Sequence, residues 1–133
     1  MTDPHLIAEA VRVRAHAYAP YSRFLVGAAL RTAEGALFSG CNMENAAYPQ
    51  GICAEGGALS AMVAAGGRVV TEVVIAGEGT APCTPCGGCR QKLREFAAPA
   101  TRISMVDDTG RLLLVRTLAE LLPDSFGPEN LGV

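Results

Sequence analysis

Cys53-Ala54-Glu55-Gly56-Gly57-Ala58-Leu59-Ser60-Ala61-Met62-Val63-Ala64-Ala65, stopped by Gly66-Gly67, is followed by Val69-Val70-Thr71-Glu72-Val73-Val74-Ile75-Ala76. The first segment has the small and apolar residues of a buried helix, and glycine suits its C-terminus. The second is rich in β-branched residues, as in a strand covered on both faces. A loop over 77–85, rich in Gly, Pro and Thr, separates it from a second helical segment, Gly87 to Phe96. A further strand follows at Arg102 to Val106. Helix, strand, helix, strand is the framework of an α/β domain.

Outward from this centre the pattern continues. Upstream, Val26 to Leu30 and Ala36 to Cys41 read as two strands joined through Thr32-Ala33-Glu34-Gly35, a hairpin turn. Before them, Thr2 or Asp3 caps a helix with Pro4 in its first turn. Leu6, Ile7, Ala10, Val11 and Ala17 recur at helical spacing, and Ala19-Pro20-Tyr21-Ser22 ends the segment. Downstream, Arg111 to Val115 pairs with Arg102 to Val106 across Asp108-Thr109-Gly110. Thr117 caps a short last helix, with Glu120 completing a capping box. The order α-β-β-α-β-α-β-β-α predicts one α/β domain over residues 1–133: three layers, with a mixed five-stranded sheet between helices.

At 133 residues, half of them apolar and 18% charged, the chain has the balance of a globular domain with one core. Its formal net charge is −2, with no basic run. Phosphate backbones are bound by lysine and arginine surpluses, so a nucleic-acid partner is disfavoured. The start, Met1-Thr2-Asp3-Pro4-His5, lacks the features of a secretory leader, and no apolar run reaches bilayer length. Five unevenly spaced cysteines then read as reduced thiols with metal or catalytic duties. The expectation is a cytoplasmic protein with no membrane partner.

The chemistry lies in Cys53-Ala54-Glu55 and Pro85-Cys86-Gly87-Gly88-Cys89. Two ligands spaced i, i+3 at the start of a helix share one face and grip a single ion. Cys53 and Glu55 would diverge in a regular helix. They converge if Cys53 is the cap, where the backbone is not yet helical. Helix N-termini also offer free N–H groups to offset thiolate charge. Two readings follow. Cys53, Cys83, Cys86 and Cys89 would close a structural zinc site, whereas Cys53, Cys86 and Cys89 alone leave a coordination position for water. A carboxylate beside the ion has no use in the closed site, so Glu55 favours the open one, with Cys83 in a loop.

Cys-Ala-Glu followed by Pro-Cys-x-x-Cys resembles the zinc nucleoside and nucleobase deaminase pattern in its three-cysteine form. The chain is similar, nearly end to end, to the small homotetrameric cytidine deaminases. The similarity runs through Tyr21-Ser22-Arg23-Phe24-Leu25-Val26-Gly27-Ala28-Ala29-Leu30, Gly40-Cys41-Asn42-Met43-Glu44-Asn45-Ala46-Ala47-Tyr48, Pro85-Cys86-Gly87-Gly88-Cys89-Arg90-Gln91 and Leu121-Leu122-Pro123-Asp124-Ser125-Phe126-Gly127-Pro128. The resemblance implies one Zn²⁺ per subunit on Cys53, Cys86 and Cys89, and Glu55 as proton shuttle. It implies that Asn42 and Glu44, flanking Met43 in the substrate-binding segment, grip the ribose hydroxyls. Phe24 would line the nucleoside pocket, and the backbone at Ala54 would help read the base. Tyr48 and Phe126 would lie near subunit boundaries, Phe126 reaching a neighbour's pyrimidine in shared active sites of a homotetramer.

Two positions depart from the resembled pattern: Leu25 replaces a common proline, and Gly56 replaces an arginine or glutamine beside the zinc thiolates. Arg90 and the helix dipoles are then expected to carry the charge compensation. The function expected is hydrolytic deamination of cytidine and 2′-deoxycytidine to uridine and deoxyuridine with release of ammonia, in pyrimidine salvage. An anionic Glu44 accepts bonds from a sugar hydroxyl and repels phosphate, which opposes nucleotide, RNA and DNA substrates. The rivals are a deaminase of a related aminopyrimidine nucleoside and a zinc-stapled interaction module. His5 and His16 lie on the first helix, away from the cysteines.

Overall fold

The β-branched run forms β3 (Val70–Ala76), the middle strand of a sheet ordered β2-β1-β3-β4-β5, in a computed structural model that describes residues 1–133. β1 (Gly27–Thr32) pairs antiparallel with both β2 (Leu37–Cys41) and β3. β3 and β4 (Ala97–Val106) run parallel, joined through the helix α3 (Gly87–Phe96), and β5 (Leu112–Thr117) returns antiparallel along β4. The sheet is therefore mixed and five-stranded, as its pattern of runs predicts.

Alternating side chains of β3 feed two cores. Val74 and Ala76 join Ala29, Val106 and the buried Leu6 and Ala10 of α1 (Pro4–Arg14). Val73 and Ile75 join Ala58, Leu59 and Met62 of α2 (Ala54–Ala64), Leu93 of α3 and Leu118 of α4 (Leu118–Leu121). One helix thus covers one face of the sheet and three cover the other, giving three layers. Close approach of the layers depends on glycine. A Cβ on Gly27 would stand 2.1 Å from the Ala10 carbonyl oxygen, and one on Gly40 2.5 Å from the Ala58 nitrogen. The second contact seats the start of α2 directly on β2.

The end signals act as their residues require. The Asp3 side chain accepts from the His5 N–H and caps α1, leaving Thr2 to share a buried hydrogen bond with Ser104 at 2.9 Å. Thr117 and Glu120 form the reciprocal capping box of α4. Most boundaries move by one or two residues, and two differ by more from the sequence expectation. α1 stops at Arg14, before Ala17, because the Tyr18 N–H donates to the Asn42 carbonyl at 2.9 Å and the Tyr18 carbonyl accepts from Glu44 N–H at 2.8 Å. β4 begins at Ala97 rather than Arg102. Ala97 pairs with Val70, and the register then shifts before Arg102 meets Glu72, so Pro99, which has no N–H for a ladder, falls in the irregular stretch. No helix is long and apolar enough to cross a membrane.

Candidate metal centre

Cys53 is the N-cap of α2, with extended backbone at φ −76° and ψ 157°, as its convergence with Glu55 demands. Cys86 holds the same position on α3, at φ −67° and ψ 167°, and Cys89 lies in the first turn. The two helix starts meet, and the three sulfurs lie within 4.8 Å of one another. Sulfurs about 2.3 Å from a tetrahedral ion stand about 3.8 Å apart, so the set closes on zinc with shifts of about 1 Å at most. Cys83 is outside this group, half-buried in the loop before α3, and burial pushes its thiol up to about 11. The donor set is therefore three soft thiols, the open arrangement of the two weighed above.

The electrostatics follow the helix starts. The Cys89 backbone N–H, with that of Gly88, draws the Cys86 thiol below its ordinary value. Burial pushes the Cys53 and Cys89 thiols up, Cys89 being fully enclosed. Glu55, 6% exposed, is also raised by burial, against the opposing pull of its own backbone N–H, the Lys92 ammonium and the Cys89 thiol. A carboxyl raised in this way is suited to accept a proton and return it.

A cleft of about 290 Å³ opens onto these groups, lined among others by Ser22, Phe24, Asn42, Glu44, Cys53, Ala54, Glu55, Thr84 and Cys86. Its rim is knitted by hydrogen bonds. Asn42 Oδ1 accepts from the Val26 N–H at 2.9 Å, and Asn42 Nδ2 donates to the Phe24 carbonyl at 2.8 Å. Glu44 accepts from the N–H groups of Tyr21 and Ser22 at 3.0 and 3.1 Å and from the Ser22 hydroxyl. Those donors, the Ser22 hydroxyl above all, hold the Glu44 carboxyl below the usual carboxylate range.

Comparison with known proteins bears on what this cleft serves. The family described as the cytidine and deoxycytidylate deaminase zinc-binding region matches residues 1–105. The chain belongs to the cytidine deaminase family. A cytidine deaminase of Sporosarcina psychrophila is 39% identical over 127 residues, covering 96% of this chain and 93% of that protein. The crystal structure of cytidine deaminase from Burkholderia pseudomallei is 43% identical with a TM-score of 0.87, covering 95% of this chain and 100% of that one. That of Mycobacterium leprae is 39% identical with a TM-score of 0.77, over 90% and 96% of the two chains. As an enzyme of a zinc-binding deaminase family, the chain has in Cys53, Cys86 and Cys89 the donors of its metal site.

The cleft gathers Phe24, Asn42, Glu44, Ala54 and Glu55 of the expected cytidine deaminase residues. Met43, Tyr48 and Phe126 do not line it. Met43 pairs through its backbone with Ile52, while the Tyr48 and Phe126 side chains are 77% and 57% exposed. Arg90, expected to compensate the thiolate charge, makes its hydrogen bonds to backbone carbonyls. Its Nε donates to the Pro85 carbonyl at 2.6 Å and its Nη1 to the Leu121 carbonyl at 2.7 Å. It ties the cysteine loop to α4 instead of bonding a thiol. Sequence reasoning gave no role to Ser22, Thr84 or Lys92. Ser22 sits inside the quoted Tyr21–Leu30 motif, which was its available signal.

Proposed function

We propose that this enzyme hydrolyses cytidine, and 2′-deoxycytidine, to the corresponding uridine nucleoside and ammonia. The observation that carries the reading is the buried Glu55 beside three sulfurs within 4.8 Å of one another, opening on a cleft with a polar, anionic rim. Cys53, Cys86 and Cys89 would hold zinc, which would supply the Lewis acidity that makes water nucleophilic near neutral pH. Glu55 takes a proton from the attacking water as its oxygen adds to C4 of the ring. It gives the proton to N3, then moves the second proton, from the new C4 hydroxyl, to the amino group, which leaves as ammonia. Water is consumed, the C4–N bond breaks and a C4 carbonyl remains.

The remaining residues orient. The cleft wall at Phe24 offers an apolar face to the base, and the backbone at Ala54 reads its edge. Asn42 and Glu44 each retain hydrogen-bonding capacity for the sugar hydroxyls. The anionic Glu44 supports a free nucleoside over a nucleotide or polynucleotide. Residues 1–133 serve as a single cytidine deaminase domain, working in the cytoplasm in pyrimidine salvage. Four copies share active sites, Phe126 of one chain reaching the neighbour's cleft.

The test follows cytidine absorbance with purified protein before and after a chelator, with zinc then restored, alongside Glu55→Gln. Chelation is expected to abolish turnover and zinc to return it. The Gln variant should keep its metal and lose at least about 100-fold in kcat. Turnover undiminished by either change would reject the reading.

A further inference from the structure

Three thiolates around one divalent cation leave a net negative centre, and Glu55 places a carboxyl beside it. Charge of this density in a partly enclosed site calls for a nearby cation. The residues flanking the sulfurs, Gly56, Gly57, Gly87 and Gly88, have no side chains to give. Arg90 is committed to two carbonyls. Another cation stands on the second turn of α3. Lys92, the chain's one lysine, lays its stem across Gly56: Cδ and Cε come within 3.8 and 3.9 Å of where a Cβ on Gly56 would stand. Its Nζ ends 3.7 Å from the corresponding position on Gly88, between Cys86 and Cys89. Gly56 belongs to the first turn after Cys53. The Lys92 side chain therefore spans the two helix starts that carry the sulfurs. The chain's ion pairs are all made by arginines, which leaves Lys92 without a carboxylate partner.

We propose that Lys92 is the cation that offsets the negative charge of the zinc–thiolate centre, its stem crossing Gly56 and its ammonium held over the Cys86–Cys89 turn. It is a positioning residue: it touches neither substrate nor reacting atoms. Its task is to offset the repulsion among three sulfur ligands gathered on one metal. The bare Gly56 leaves the surface over which the stem runs. An exposed ammonium on a flexible stem suits this task, because it turns toward the sulfurs without displacing the helix N–H groups. The proposal rests on the zinc reading of the three cysteines.

The test measures release of zinc from the loaded protein to a chromophoric chelator, without reference to turnover. Lys92→Met keeps the stem and removes the charge, so folding should be untouched, which circular dichroism checks. Its zinc should leave about 10-fold faster, the scale on which partners of metal ligands act. Lys92→Arg should release zinc as the wild type does. Gly56→Arg added to Lys92→Met should restore retention, since a Cβ at that position meets nothing closer than 3.6 Å. The gap between wild type and Lys92→Met should narrow at about 1 M salt, where the screening length falls to about 3 Å. Equal release rates for wild type and Lys92→Met, or a gap that salt leaves unchanged, would overturn the proposal. A wild-type protein that takes up no zinc would instead defeat the reading beneath it.

Discussion

Asn42 does structural work that its place in a polar segment conceals. Its amide joins the Phe24 carbonyl and the Val26 N–H, so it fixes the strand entry that forms one cleft wall. An amide has two acceptor sites and two donors, leaving one of each for a ligand. Asn42→Ala should therefore show two effects together. The cleft wall loses two hydrogen bonds and leaves a nearly buried N–H unpaired, lowering stability by about 1–3 kcal/mol. The nucleoside KM should rise as well. Denaturant unfolding and steady-state kinetics on the same preparation check this. A higher KM at unchanged stability would mean that the amide serves the ligand alone. At this scale the sequence was uneven to read. Cys53 as a cap follows from two residues that must converge across a spacing a helix forbids. The partners of Asn42 lie 16 and 18 positions away, and no local pattern announces them.

Among the elements, α2 decides how the site is held, because its first turn carries both a sulfur and the buried carboxyl. Its seat on β2 depends on Gly40, whose added Cβ would stand 2.5 Å from the Ala58 nitrogen and 2.7 Å from the Ala54 carbonyl oxygen. Both are helix backbone and cannot rotate away. Gly40→Ala should cost about 1–3 kcal/mol by overpacking and also loosen zinc by shifting Cys53. Gly57, on the facing side of the same contact, is the control. A Cβ there meets Gly40 Cα at 3.6 Å, an ordinary contact. Gly57→Ala should be neutral or stabilise by up to about 1 kcal/mol, since alanine favours the helix interior. Thermal unfolding should place Gly40→Ala clearly below the wild type and Gly57→Ala level with it or above, and a comparable loss in both refutes the packing described. The periodicities behind α2, β3 and α3 were legible because burial on one or both faces writes itself into local sequence. The C-terminal end of α1 and the start of β4 were not. Each is set by hydrogen bonds from another element, Tyr18 to residues 42–44 and Ala97 to Val70, which compete with local propensity and win.

For the whole molecule, the tail poses a question that one chain does not answer. It is tied firmly to α3: Gln91 donates to the Phe126 carbonyl at 3.0 Å, Arg94 donates to the Ser125 hydroxyl at 2.7 Å, and Arg94 pairs with the Glu129 carboxylate. Yet the Phe126 ring is 57% exposed, and it lies off the cleft of its own chain. Fixing a backbone while presenting a bare aromatic ring is a sensible arrangement where a second copy supplies the contact. Sedimentation should then give four times the 13.8 kDa chain mass. Phe126→Ala should raise KM by about 10- to 100-fold, the equivalent of burying one aromatic side chain. Mixing decides whether the ring serves its neighbour. In assemblies reformed from Phe126→Ala and Glu55→Gln chains, the first brings the intact carboxyl and the second the intact ring. A fraction of sites should recover the wild-type KM although neither parent has a normal site. If every active site keeps the raised KM of the Phe126→Ala parent, the ring acts within its own chain and the shared-site assembly is wrong.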